Sequence, residues 1–124
     1  KLDLIKTVNF CGLEKIDVIY NNIDILFHPC NKEGFGRIFI EAMGKGVPVV
    51  AVKGGGADEL IEHGVTGYKA DIDQPEECAD NIVLLLKNPY IFFKITTKAL
   101  EFASKFKESL MWKKIDYCYY SIIK

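Results

Sequence analysis

Two glutamates frame a short glycine-bearing loop and the helix it opens: Glu33 precedes Gly34-Phe35-Gly36-Arg37, and Glu41 follows inside the helix. A loop of this kind presents main-chain N–H groups that have no carbonyl one turn back, at the positive end of the helix dipole. That is the chemistry of a phosphate or diphosphate site. The loop is neither a Walker loop nor a dinucleotide fingerprint. Gly-x4-Gly-Lys-Ser/Thr is absent, and Gly34-Phe35-Gly36 lacks the third glycine. Glu41 sits among Ile38, Phe39, Ile40, Ala42 and Met43, so the pattern predicts a partly buried carboxylate. Such a group needs hydrogen-bond partners, and a ligand hydroxyl is one candidate. The plain alternative is that Glu33 caps the helix while Glu41 makes a surface pair with Arg37, four residues earlier.

The elements that position these residues alternate. Apolar, β-rich runs predict strands near 7–11, 24–28, 48–52 and 66–70. Helical spacing predicts helices over 13–22, 36–45, 57–63, 73–88, 90–106 and 108–123. Gly46 and Gly64 read as helix stops, and Asp73-Gln74-Pro75-Glu76 as a helix start. Strands alternating with helices through short glycine-bearing loops give an α/β fold, a Rossmann-like parallel sheet flanked by helices. No repeat, linker or low-complexity tract divides the 124 residues, so the expectation is one domain over 1–124. Ligands of open α/β sheets bind at the carboxyl ends of the strands. Three loops leave that edge: Gly12 to Glu14, His28 to Phe35, and Lys53 to Ala57 with Gly54-Gly55-Gly56.

Composition removes several function classes. Sixteen basic against 17 acidic residues leave a formal charge of −1, which gives no electrostatic case for nucleic acid. Lysines gather toward the C-terminus, as a solvated helix face or a docking face for an anionic membrane. Cys11, Cys30, Cys78 and Cys118 contain no C-x-x-C pair, so zinc has no support and reduced, cytoplasmic thiols are expected. No run approaches the roughly 20 apolar residues of a membrane span, and no signal peptide opens the chain. His28 and His63 read as packed or solvent-facing rather than as ligands or bases. Trp112, Tyr117, Tyr119 and Tyr120 read as core aromatics.

Taken together, Glu33-Gly34-Phe35-Gly36 through Glu41-Ala42-Met43, then Gly46-Val47-Pro48-Val49-Val50-Ala51, resemble the E-x7-E signature of retaining GT-B glycosyltransferases, family 4 in particular. Tyr20, Asp24-Ile25 and Pro29 match the stretch before the signature. Gly54-Gly55-Gly56-Ala57-Asp58-Glu59-Leu60-Ile61, Gly64 and Gly67 match the stretch after it. The similarity covers roughly residues 8 to 90. It implies the C-terminal, donor-binding domain of a two-domain enzyme that transfers a hexose with retention. The donor is a nucleotide-diphosphate sugar; no cofactor or obligatory metal is implied. A glycan or lipid acceptor would be held through an N-terminal domain, and the parent protein could associate peripherally with the inner face of a membrane.

The resemblance also implies residue roles. Glu33 would be the catalytic carboxylate, contacting hydroxyls of the donor sugar. Phe35, Gly36 and Arg37, with Gly34, would present backbone near the sugar and diphosphate, and Glu41 would bind the ribose. Gly55 and Glu59 would shape the same pocket wall. Two departures stand out. Cys30 replaces the serine that usually follows Pro29, and reads as a small packed side chain. The family's first strands, its diphosphate-neutralising Arg/Lys pair and its N-terminal domain are not among these residues, so the expectation is an inactive fragment. A non-catalytic binding subunit that works with a separate N-terminal partner is the alternative. A sugar hydrolase using the two glutamates ranks last.

Overall fold

The apolar run Val49-Val50-Ala51-Val52 forms the centre of a parallel sheet. The structure is a computed structural model that describes residues 8–107 together with 117, 118 and 121. Three strands, β1 (Leu26–His28), β2 (Val49–Val52) and β3 (Tyr68–Ala70), lie in that order. Both pairings are parallel, with Leu26 opposite Val49 and Val50 opposite Tyr68. Successive side chains of a strand point to opposite faces, so a strand buried at every residue needs cover on both. All four residues of β2 are buried. Val49 and Ala51 join Phe39, Ala42, Met43, Leu60 and Ala99 in one cluster. Val50 and Val52 join Tyr68, Cys78, Leu85 and Ile95 in the other.

Among the described residues, five helices cover these faces: α1 (Ile16–Asn21), α2 (Arg37–Gly44), α3 (Gly56–Leu60), α4 (Pro75–Lys87) and α5 (Pro89–Ala103), the last continuing into a 3-10 turn at Ser104–Phe106. Local chemistry sets their ends. In α4, Pro75 stands in the first turn with Glu76 and Glu77, and Lys87 in the last, each matched to the helix dipole. Asn88 caps α5, its side-chain oxygen accepting from the Ile91 N–H at 3.1 Å. Pro89 therefore starts a helix rather than only ending one. The end of α2 is closed by Gly46 N–H to Met43 O and Val47 N–H to Ala42 O, the paired bonds of a Schellman motif.

The α/β class, the parallel sheet and its flanking helices are as expected, and three of the four expected strands form. The fourth does not. Val8 to Gly12 form no ladder and are exposed, because a β-prone segment needs a neighbouring strand to satisfy its N–H and C=O groups and none lies beside it among the described residues. The first helix begins at Ile16 rather than Leu13, and α3 ends at Leu60 rather than His63. There the chain turns instead, with Thr66 Oγ1 accepting from the Glu62 N–H at 2.9 Å. The helix expected over 108–123 falls largely outside the described residues, as do Trp112, Tyr119 and Tyr120. Tyr117 is exposed, contrary to a core role.

Candidate functional site

The loop between β1 and α2 and the loop between β2 and α3 leave the same sheet edge and meet main chain to main chain. The Gly56 N–H donates to the Glu33 carbonyl at 2.9 Å. A Cβ on Gly54 would collide with the Asn31 carbonyl, on Gly55 with the Glu33 carbonyl, and on Gly56 with the Phe35 carbonyl. Gly55 also has φ 51° and ψ −133°, a conformation that L side chains rarely adopt. The triple glycine is therefore what lets the second loop lie against the first, and it fixes the backbone that carries Glu33. Gly34 differs, since a Cβ there meets open space.

Gly36 is the N-cap residue of α2, at φ 80°. A side chain there would overlap the Phe39 ring, so the entry to α2 is held by a buried aromatic one turn into the helix. Arg37 begins α2 with its side chain largely in solvent, 3.6 Å from Glu41. Phe35 is exposed, its ring 6.5 Å from that of Phe106.

The two glutamates each have an aromatic neighbour that sequence reasoning missed. The Glu33 side chain is 34% exposed, and its Oε2 lies 3.4 Å from His28 Nε2. His28 ends β1, is 16% exposed, and meets the buried Phe39 ring edge-on at 5.2 Å between centroids. The Glu41 side chain is 30% exposed, so the expected half-burial and the expected Arg37 pair are both present. Beside it stands the hydroxyl of Tyr20, which donates to the Ile38 carbonyl at 3.2 Å. Burial, together with the nearby Glu41 charge, pushes the Tyr20 phenol up to about 12. The signal for Tyr20 in the sequence was its place before the signature. For His28 there was none, since four residues separate it from Glu33 across an irregular loop.

Glu33, Gly34, Phe35 and Gly36 are thus brought together with Gly55, and Arg37 with Glu41. Glu59 lies apart. It is exposed on α3 and lines a separate cleft with Glu62, His63, Lys69 and Phe102, of about 410 Å3, which neither Glu33 nor Glu41 lines. Cys30 is exposed rather than packed. Lys53 is engaged away from the glutamates, its Nζ 3.0 Å from Asp71. Among the described residues no three side chains of metal-ligating type converge, and no helix is long and apolar enough to cross a membrane.

A half-buried carboxylate pair around a helix N-terminus, braced by a glycine-only contact, is able to accept ligand hydroxyls on either side of an anion. Comparison with known proteins gives this geometry a context. The family model described as "Glycosyl transferases group 1" matches residues 1–108. N-acetyl-alpha-D-glucosaminyl L-malate synthase of Bacillus anthracis is 29% identical over 82% of this chain and 27% of its own length. Sucrose synthase of Melioribacter roseus is 37% identical over 81% of this chain and 13% of its own length. Among solved structures, Anabaena Alr3699/HepE in complex with UDP and glucose superposes with a TM-score of 0.82 at 31% identity, covering 91% of this chain and 32% of that one. This chain therefore spans a third or less of each of these three proteins.

Proposed function

Since the chain belongs to the glycosyl transferases group 1 family, we propose that it is the donor-binding part of a glycosyltransferase, taking a nucleoside-diphosphate sugar. The observation that carries this reading is the placement of Glu33 and Glu41 on either side of the α2 N-terminus, with the Gly54–Gly56 backbone packed against the first of them. Glu41 accepts from the ribose hydroxyls and Glu33 from hydroxyls of the sugar. The first N–H groups of α2 face the diphosphate. As the anomeric carbon–oxygen bond breaks, the electron pair passes to the diphosphate, and preorganised N–H groups and the helix dipole stabilise the charge that develops there. Gly34, Phe35 and Arg37 contribute backbone to this wall, and Gly55 holds it in place.

The reading extends to the whole enzyme: transfer of a hexose with retention, without an obligatory metal, to a glycan or lipid held by a further domain. Such an enzyme would work in the cytoplasm or at the inner membrane face. The 124-residue chain by itself would bind donor and transfer nothing. UDP is the first nucleotide to try, because Anabaena Alr3699/HepE is bound to it.

Titration of the 15N-labelled chain with UDP, GDP and ADP tests the site. Amide shifts should cluster on residues 33–41 and 54–56 for at least one nucleotide. Glu41→Ala should weaken that affinity about tenfold or more, the scale of a hydrogen bond to a charged group. Shifts elsewhere only, or none with all three nucleotides, would remove the reading.

A further inference from the structure

Glu33 reaches the site from an irregular loop, and a carboxylate on a loop has rotamer freedom unless something holds it. The loop backbone is fixed by the Gly54–Gly56 contact, but that contact fixes only main chain. Among the described residues the Glu33 side chain has one charged or ring-nitrogen neighbour, His28 Nε2, at 3.4 Å from Oε2. The ring of His28 is itself immobilised. Its Cα lies in the β1 ladder opposite Ala51, and its face and edge are set by the buried Phe39. A carboxylate only accepts, so the nitrogen facing it carries a hydrogen. The other nitrogen, Nδ1, is buried without a hydrogen-bond partner among the described residues, so a hydrogen placed there would be an orphaned donor. A hydrogen on Nε2 is therefore within reach of Glu33 Oε2, at a 3.4 Å separation of the heavy atoms.

We propose that His28 is the positioning residue for Glu33: its Nε2–H holds Oε2, so that Oε1 is turned to accept from a hydroxyl of the donor sugar. The proposal rests on the donor-site reading above and adds to it the residue that sets the orientation of its sugar-facing acid. The contact is longer than the usual 2.7–3.2 Å range for N–H···O, as is common for such bonds before a ligand is seated, and it tightens when the sugar engages Oε1. His28 touches no substrate in this scheme. Holding a single side chain in one rotamer, it acts on recognition of the sugar and leaves recognition of the nucleotide unchanged.

The experiment compares affinities for UDP and for UDP-glucose, measured by calorimetry on the 124-residue chain and on two variants. His28→Leu keeps an apolar body against Phe39 and loses the donor. His28→Gln keeps an N–H donor at similar reach. In the wild-type chain UDP-glucose should bind more tightly than UDP. His28→Leu should shrink that ratio by about fivefold to tenfold, the scale of one hydrogen bond to a charged group. UDP affinity itself should stay within about twofold, and His28→Gln should recover part of the ratio. The proposal is overturned if His28→Leu keeps the full ratio. It is overturned equally if both ligands weaken together, which is the signature of a packing role, or if His28→Gln behaves as His28→Leu does. A wild-type chain that binds UDP but gains nothing from the sugar removes the inference and leaves the nucleotide site standing. Binding of neither ligand removes both.

Discussion

The half of the molecule around β2, β3, α2, α4 and α5 and the half around α1 and β1 contain similar apolar residues but use them differently. In the first, Val49 to Val52, Tyr68, Leu85 and Ile95 are buried. In the second, Val8, Phe10, Leu13, Ile16, Val18 and Ile19 are exposed, and β1 is half-exposed along its length. Burying a large apolar side chain contributes about 1.5–3 kcal/mol, and only when something covers it. In α1 one residue is buried, Tyr20, and an exposed ion pair between Asp17 and Lys45 adds little to its hold. The contrast teaches that apolar character sets what a segment can contribute, while a neighbour decides whether it does. The candidate site lies on the seam: His28 ends the thinly covered strand, and Gly55 and Gly56 follow the fully covered one.

The sharpest way to break this comparison is to truncate one residue on each side. Phe39→Ala should lose about 3–5 kcal/mol in urea denaturation, because the ring is fully buried and seats both Gly36 and His28. Leu13→Ser, at a fully exposed position, should change stability by less than about 0.5 kcal/mol. Similar losses from the two would mean that the N-terminal flank is covered after all.

A smaller effect is expected at the loop contact. Gly55→Ala combines an unfavourable backbone conformation with a collision against the Glu33 carbonyl, and should lose on the order of 1–3 kcal/mol. Gly34→Ala, with open space around it, should lose far less. Chemical denaturation of the two variants measures the difference, and equal losses would show that the two loops are not braced as described.

The alkaline limb tests the single anchor of α1. The folded phenol of Tyr20 lies at about 12, above the ordinary value of 10.0. A raised value means that the folded state holds the proton longer. The associated stability is fully present below pH 10 and is lost as pH rises through about 12. Glu41 is partly solvated, so the loss should be about 1–2 kcal/mol rather than the full value of a two-unit shift. Stability measured across this window should fall in the wild-type chain and fall less in Tyr20→Phe. Matching slopes for the two would mean that folding does not hold the Tyr20 phenol protonated.

Much of this was legible in the residues. The alternation of β-rich and helical runs, the stop at Gly46 and the start at Pro75 set the α/β class. The Glu33–Glu41 spacing with its two glycine loops marked the candidate site. Less legible was what depends on a third party. Val8 to Cys11 have strand character, yet no ladder forms, because pairing belongs to two segments and not to one. Glu59 sits near the signature in sequence but faces a different cleft, because α3 turns it there. Cys30, expected to pack, is exposed.

By itself, then, the sequence determined which segments could be helix or strand and which acids could serve a ligand, since periodicity, capping and spacing act within a few residues. Tertiary structure alone decided that Gly54 to Gly56 lie against Asn31 to Phe35, that Tyr20 backs Glu41, and that His28 stands behind Glu33. These contacts join elements separated by strands and turns. Their distances follow from the ladder register and from packing around Phe39, which no local pattern in the chain encodes.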